Sequence, residues 1–169
     1  LAGELGARPS PQTEALHAAI VADVRPAPAA PETSHALPQG LRPRDELPFV
    51  GRADERAWLG SQLAAPGPRL VVVRGEAGAG KSRLVREVAA ATAGVRFGFA
   101  RCDPEFRGSL EPILELARSV GVATDVVSHE RDDVVAELAR RIARQPGRVV
   151  LVVDDLHWAG PATVSFVRR

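Results

Sequence analysis

The chain has 169 residues, of which 45% are hydrophobic and 25% charged, and its formal net charge is +1. These values are ordinary for a globular protein and exclude a strong global field toward nucleic acid or anionic membrane. The single cysteine, Cys102, excludes an internal disulfide framework, and no apolar run is long enough to cross a bilayer. The sequence therefore predicts a cytoplasmic protein without membrane association.

The first third of the chain is predicted to contain one helix and a linker. Residues 10–23 have an apolar stripe at helical spacing, with Ser10 as a cap before Pro11. We interpret residues 1–24 as the last helix of an upstream helical domain. Six prolines fall between residues 25 and 48, and they predict an extended, mobile linker over 25–46.

Residues 47–169 alternate between apolar runs and amphipathic segments. Strands are predicted over 69–74 and 148–155, because both runs are short, apolar and rich in valine, and over 95–101, where the character of the side chains alternates. Helices are predicted over 54–65, 81–93, 110–120 and 130–144, and the chain closes on the first turns of another helix. This alternation predicts an α/β fold with a parallel sheet covered by helices on both faces.

The segment "GEAGAGKS", residues 75–82, matches G-x-x-x-x-G-K-[ST] between a predicted strand and a predicted helix. Its glycines let successive N–H groups face one centre and bind phosphate, and the helix adds its positive end. Lys81 would reach the β- and γ-phosphates in a catalytic role, and Ser82 would ligate Mg²⁺. Lys81 is the only lysine in the chain, which supports a specific role because a guanidinium fits poorly beside phosphates in such a loop. The predicted phosphate-binding residues are Gly75, Glu76, Ala77, Gly78, Ala79, Gly80, Lys81, Ser82 and Arg83.

Two carboxylates, Asp154 and Asp155, follow the apolar run of the third predicted strand. Ligands of parallel α/β sheets bind beyond the carboxyl ends of the strands. Asp154 is therefore predicted to hold Mg²⁺, mostly through water, with a helix cap as the alternative role. Asp155 is predicted to orient or activate an attacking water. We expect His157 and Trp158 to pack or order the loop, Cys102 to be inert, and three phenylalanines to belong to the core: Phe97, Phe99 and Phe106.

Three segments, "FVGRADERAWL", "GEAGAGKS" and "VVLVVDDLHWAGPAT", together resemble the signal-transduction NTPases with numerous domains (STAND). In particular they are similar to the AAA-type ATPase module of large bacterial LuxR-type and SARP-type transcriptional regulators. The stretch "ELGARPSPQTEALHAAI" resembles the last helix of a bacterial transcriptional activation domain. The resemblance implies a P-loop NTPase three-layer sheet and contacts of Val50 and Arg52 with the nucleotide. The chain departs from the usual pattern at Ala53, where Glu is expected, and at Gly160, where Asp is expected.

The resemblance also implies a function, an ATP/ADP-binding switch with slow Mg²⁺-dependent hydrolysis in the intact regulator. DNA would be contacted only through domains outside this chain, and self-association of the intact regulator is left open. In this family, the strand that follows the acidic strand in the chain lies in the sheet between the acidic strand and the strand before the glycine-rich loop. We expect the given chain to stop before that strand and therefore to be only marginally stable alone. The alternatives are a dedicated ATPase or small-molecule kinase, and a scaffold whose nucleotide site is vestigial.

Overall fold

The computed structural model describes residues 35–43, 48–128 and 130–169 of the chain. The predicted helix over 10–23 lies outside these residues, as does the side chain of Phe106. Short 3-10 turns occupy Gln39–Leu41, Pro104–Phe106 and Leu156–Trp158. The helices and strands of the described part are α1 (Ala53–Ala64), α2 (Lys81–Ala90), β1 (Val95–Arg101), α3 (Glu111–Ser119), α4 (Arg131–Ala143), β2 (Arg148–Asp154) and α5 (Pro161–Val167).

The sheet is a parallel pair of strands, β1 and β2. Their register runs from Val95 opposite Arg148 to Arg101 opposite Asp154. The predicted strands over 95–101 and 148–155 are therefore confirmed, the second to within one residue. Parallel pairing brings the carboxyl ends of both strands to one edge of the sheet, where Arg101 and Asp154 lie side by side.

Alternate residues of β2 belong to two different cores, one on each face of the sheet. Val149, Leu151 and Val153 pack against a buried cluster that contains residues of α3, α4 and α5. Val150 and Val152 pack against a second cluster that contains residues of β1 and α2. Helices thus cover both faces, which confirms the predicted α/β arrangement.

The predicted strand over 69–74 is wrong for the described part of the chain, because no strand is found there. Val71 packs against a small cluster formed by α1 and α2, but Leu70 and Val72 are 66% and 57% exposed. A run of apolar residues becomes a strand only when a neighbouring strand supplies its backbone hydrogen bonds. β2 pairs with β1 on one edge, and its other edge and residues 69–74 line a common cleft of about 2490 Å³.

Residues 35–43, which we call the strap, form part of the folded domain. Leu41 is 1% exposed and belongs to the same core cluster as Phe97 and Phe99. A Cβ added at Gly40 would lie 2.2 Å from the Phe99 ring, so only glycine allows this close approach. The mobile linker predicted over 25–46 is therefore wrong for the strap, because its few apolar side chains cover a sheet face that would otherwise be exposed to water.

Polar contacts also fasten the strap to the domain. The Arg86 side chain of α2 donates a hydrogen bond of 2.9 Å to the Gly40 carbonyl. Arg96 on β1 lies 3.4 Å from the His35 ring nitrogen and donates a hydrogen bond of 2.6 Å to the Gln145 side chain. The strap is thus held at both ends, by Arg96 near His35 and by Arg86 near the 3-10 turn.

Candidate nucleotide-binding site

The glycine-rich loop lies between residues 69–74 and α2, and it lines the cleft. Gly78 and Gly80 have φ angles of 74° and 77°, in the left-handed region that a side chain would strain. Gly80 is the N-cap residue of α2, so the positive end of that helix opens at the loop. This is the backbone arrangement that a phosphate-binding loop requires, and it follows from the glycine spacing in the sequence.

Lys81, in the first turn of α2, folds back over the loop. Its Nζ donates hydrogen bonds of 3.1 Å to the Gly75 carbonyl and 2.8 Å to the Glu76 carbonyl. The ammonium group therefore lies inside the curve of the loop, where a bound phosphate would meet it. Such a position suits a compact point charge with three donors.

Ser82 and Asp154 meet across the site although they are 72 residues apart in the chain. The Ser82 Oγ lies 3.0 Å from both carboxylate oxygens of Asp154, and its single proton is donated between them. The sequence predicted that these two residues would come together, because loop and strand end face the same edge of an α/β fold. A hydroxyl beside a carboxylate is a donor set that fits Mg²⁺, which prefers oxygen ligands.

Asp155 begins the turn after β2 with a φ angle of 54°, a conformation that aspartate tolerates better than most residues. Its backbone N–H donates a hydrogen bond of 3.1 Å to Asp154 Oδ1, and its side chain is directed toward Arg101. The carboxylate therefore lies beside Asp154 but is half exposed. This places it where a water near the site could be oriented, and also where an ion pair forms.

Arg101, the last residue of β1, contacts both carboxylates. Its Nη2 lies 3.3 Å from Asp154 Oδ2, and its Nε lies 3.7 Å from Asp155 Oδ2. The sequence alone does not assign Arg101 a contact with the two carboxylates. That contact depends on the register of β1 against β2, which the spacing of residue types does not show.

Two further ionisable groups flank the acidic strand end. Burial raises the pKa of the Cys102 thiol, and the nearby carboxylates Asp155, Asp154 and Glu115 raise it further. Desolvation also raises the pKa of Glu115, against the hydrogen bond from the Arg101 backbone N–H. A thiol that is kept protonated is a poor nucleophile, which agrees with the prediction that Cys102 is inert.

The two residues before α1 that were predicted to contact the nucleotide, Val50 and Arg52, lie in different surroundings. The Arg52 guanidinium donates a hydrogen bond to the Ala79 carbonyl of the loop, so Arg52 belongs to the site. Val50 is 83% exposed and does not line the cleft. Arg83 lies over the Phe49 ring, 5.5 Å from its centroid, which joins the segment before α1 to α2.

The turn after Asp155 packs tightly on the loop that follows β1. The Arg107 guanidinium lies 4.7 Å from the centroid of the Trp158 ring. A Cβ added at Gly160 would lie only 1.6 Å from the Arg107 carbonyl oxygen. Gly160 is therefore required by a close backbone approach, which gives a physical reason for glycine where the resembling family has aspartate. Trp158 has a packing role in this contact, as the sequence predicted.

We expect Gly160→Ala to destabilise the chain by about 1–3 kcal/mol, because the loop at Arg107 must move away from the turn. The measurement is the free energy of unfolding in urea, followed by tryptophan fluorescence. Gly108→Ala is the matched control, because a Cβ at Gly108 meets no atom within 4 Å. Equal stability of the two variants would contradict the close approach.

The comparisons with known proteins agree with this geometry. The family model described as "AAA ATPase domain" matches residues 48–169, more than two thirds of the chain. Neither the curated proteins nor the solved structures gave a match. In the part of the chain that the structure describes, no helix is long and apolar enough to cross a membrane. The matched region contains the glycine-rich loop, the acidic strand end and the contact between them, and the chain belongs to the AAA ATPase domain family.

Proposed function

We propose that the chain is an ATP/ADP-binding switch module of a multidomain, cytoplasmic bacterial transcriptional regulator of LuxR or SARP type. The contact that carries the proposal is the 3.0 Å approach of Ser82 Oγ to Asp154, which joins a phosphate loop to an acidic strand end. Family membership supports nucleotide binding. The regulator context is supported by the resemblance of residues 1–24 and 47–169 to adjoining domains of such proteins.

In this proposal each residue of the site has a separate task. The loop from Gly75 to Gly80 and the positive end of α2 hold the phosphates, and Lys81 neutralises their charge. Ser82 and Asp154 would hold Mg²⁺, which supplies charge neutralisation at the phosphates when bound. Asp155 orients a water beside Asp154 and accepts a proton from it. Arg52 and Arg83 complete the nucleotide-binding set, Arg52 through its contact with the loop, whereas Val50 lies outside the cleft.

Switching requires that the two nucleotides bind with different affinity to at least one state of the protein. Residues 69–74 and the open edge of β2 line the same cleft as the loop, so phosphate occupancy is positioned to change the width of that cleft. Slow hydrolysis in the intact regulator would return the switch to its ADP form. Contacts with DNA would involve domains outside this chain, and self-association would be a property of the intact regulator.

The test is calorimetric titration of the full chain with ATP and with ADP, each with Mg²⁺ and with EDTA. We expect saturable binding of both nucleotides, a Mg²⁺-dependent gain for ATP, and a difference between ATP and ADP of at least about fivefold. Equal affinities would contradict the switch, and absence of binding by the folded chain would contradict the nucleotide site itself.

A second measurement separates the switch from a dedicated ATPase or kinase. Phosphate release at saturating Mg²⁺ and ATP should stay well below about 1 s⁻¹, the lower end of ordinary enzyme turnover. Turnover in the ordinary range, without a difference in ATP and ADP affinity, would favour the dedicated enzyme.

A further inference from the structure

Arg101 lies next to Asp154 because of the strand register. The two residues are the last pair of the parallel ladder, so their side chains leave the same edge of the sheet. The guanidinium contacts Asp154 Oδ2 at 3.3 Å through Nη2 and Asp155 Oδ2 at 3.7 Å through Nε. One arginine thus contacts both carboxylates of the acidic strand end.

Asp154 is shared between this arginine and the phosphate loop. Its Oδ2 lies 3.0 Å from Ser82 Oγ and also faces Arg101, and its Oδ1 lies near Ser82 Oγ and accepts the Asp155 N–H. Both oxygens are therefore engaged by donors. A cation that binds at Ser82 and Asp154 therefore meets a carboxylate that the Arg101 guanidinium already contacts.

Of the two partners in this ion pair, the Arg101 side chain has the more room to move away when a cation binds. The Arg101 side chain is 52% exposed, whereas the Asp154 side chain is 17% exposed and fixed by its partners. Lys81, another cation of the site, is engaged by the Gly75 and Glu76 carbonyls of the loop. Arg101 is the basic residue that forms an ion pair with Asp154.

Two electrostatic consequences follow from this placement. The carboxylates repel the phosphates of a nucleotide in the loop, and the guanidinium offsets that repulsion when Mg²⁺ is absent. Conversely, Mg²⁺ at Asp154 is repelled by a guanidinium that contacts the same carboxylate. Arginine stays charged at every relevant pH, so both effects are permanent.

We propose that Arg101 is an internal counter-ion for Asp154 and Asp155 that substitutes for part of the Mg²⁺ charge and so reduces the Mg²⁺ dependence of nucleotide binding. Arg101 is thus a positioning residue that acts through the two carboxylates. The inference rests on the proposed function, because it assumes that the loop binds a nucleotide. It goes further because one residue of the chain, Arg101, is said to limit how much Mg²⁺ increases the affinity for nucleotide.

The test measures that coupling as the ratio of the ATP dissociation constant in EDTA to that in saturating Mg²⁺, at fixed ionic strength. We expect Arg101→Gln to raise the ratio by about fivefold, through weaker ATP binding in EDTA and tighter binding with Mg²⁺. Arg101→Lys keeps the charge and should return the ratio toward the wild-type value. Arg118→Gln is the matched control, since it removes an equally exposed arginine that pairs with Glu111.

The outcomes separate this inference from the proposed function. An unchanged or lower ratio in Arg101→Gln, with wild-type ATP binding intact, overturns the role of Arg101 alone. Absence of ATP binding by the wild-type chain overturns both proposals. Arg101→Met provides a second neutral variant that keeps an aliphatic stem, and thermal unfolding of each variant shows that the comparison is between folded proteins.

Discussion

Replacing Lys81 by alanine is expected to weaken ATP binding by about 100-fold. The ammonium lies within the curve of the loop, 3.1 Å from the Gly75 carbonyl and 2.8 Å from the Glu76 carbonyl. Its loss removes charge-assisted hydrogen bonds to phosphate, each of which contributes about 1.5–3 kcal/mol. The measurement is calorimetric titration with ATP and Mg²⁺, and thermal unfolding controls for the loop contacts that the variant also loses.

Lys81→Arg is the sharper variant, because it preserves the charge. The planar guanidinium is wider than an ammonium and should not fit between the two loop carbonyls, so we expect at least about tenfold weaker ATP binding. Of the 22 lysine and arginine residues in the chain, all except Lys81 are arginine. Lys81→Arg therefore tests whether arginine can replace this single lysine. ATP binding by Lys81→Arg at the wild-type level would contradict a specific requirement for lysine in the loop.

The two paired strands could be predicted from the sequence because their signals are local. Residues 95–101 alternate in character, residues 148–154 are a short run rich in valine, and the parallel pairing confirms both strands. The run at 69–74 has the same composition but no strand partner in the described residues. Composition reports that a segment favours an extended backbone, whereas pairing depends on which segment lies beside it.

The central contact of the site could also be predicted, because it follows from topology. A phosphate loop and a carboxylate that both follow predicted strands are expected at the carboxyl end of a parallel sheet, and Ser82 contacts Asp154 in the structure. The contact of Arg101 with the carboxylates and the close approach at Gly160 were not predicted, since they depend on strand register and on backbone packing. Neither feature leaves a pattern in the spacing of residue types.

The strap was mispredicted for a similar reason. Prolines and few large apolar residues predict an extended segment, and residues 35–43 are extended apart from one 3-10 turn. The sequence does not show that two leucines and one glycine suffice to dock such a segment on an apolar sheet face. Leu41 packs with Phe97 and Phe99, both from β1. Whether the strap docks therefore depends on β1, which is distant from it in the sequence.

Leu41→Ala is expected to destabilise the chain by about 3 kcal/mol. The side chain is 1% exposed and packs within the core cluster of the second sheet face, so its removal leaves a cavity beside Phe97 and Phe99. Such truncations in a packed core cost about 2–5 kcal/mol. The measurement is the free energy of unfolding in urea, with circular dichroism and tryptophan fluorescence recorded on the same samples to test for a single transition.

Leu70→Ala makes the same chemical change on the segment whose strand prediction failed. Leu70 is 66% exposed, so its truncation should alter stability by less than about 0.5 kcal/mol. A neutral Leu41→Ala would show that the strap is detached in solution. A large effect of Leu70→Ala would show that residues 69–74 are buried there, and the open edge of β2 would then be covered. Together the two leucines therefore test which apolar segment completes the core: the upstream strap or the run before the phosphate loop.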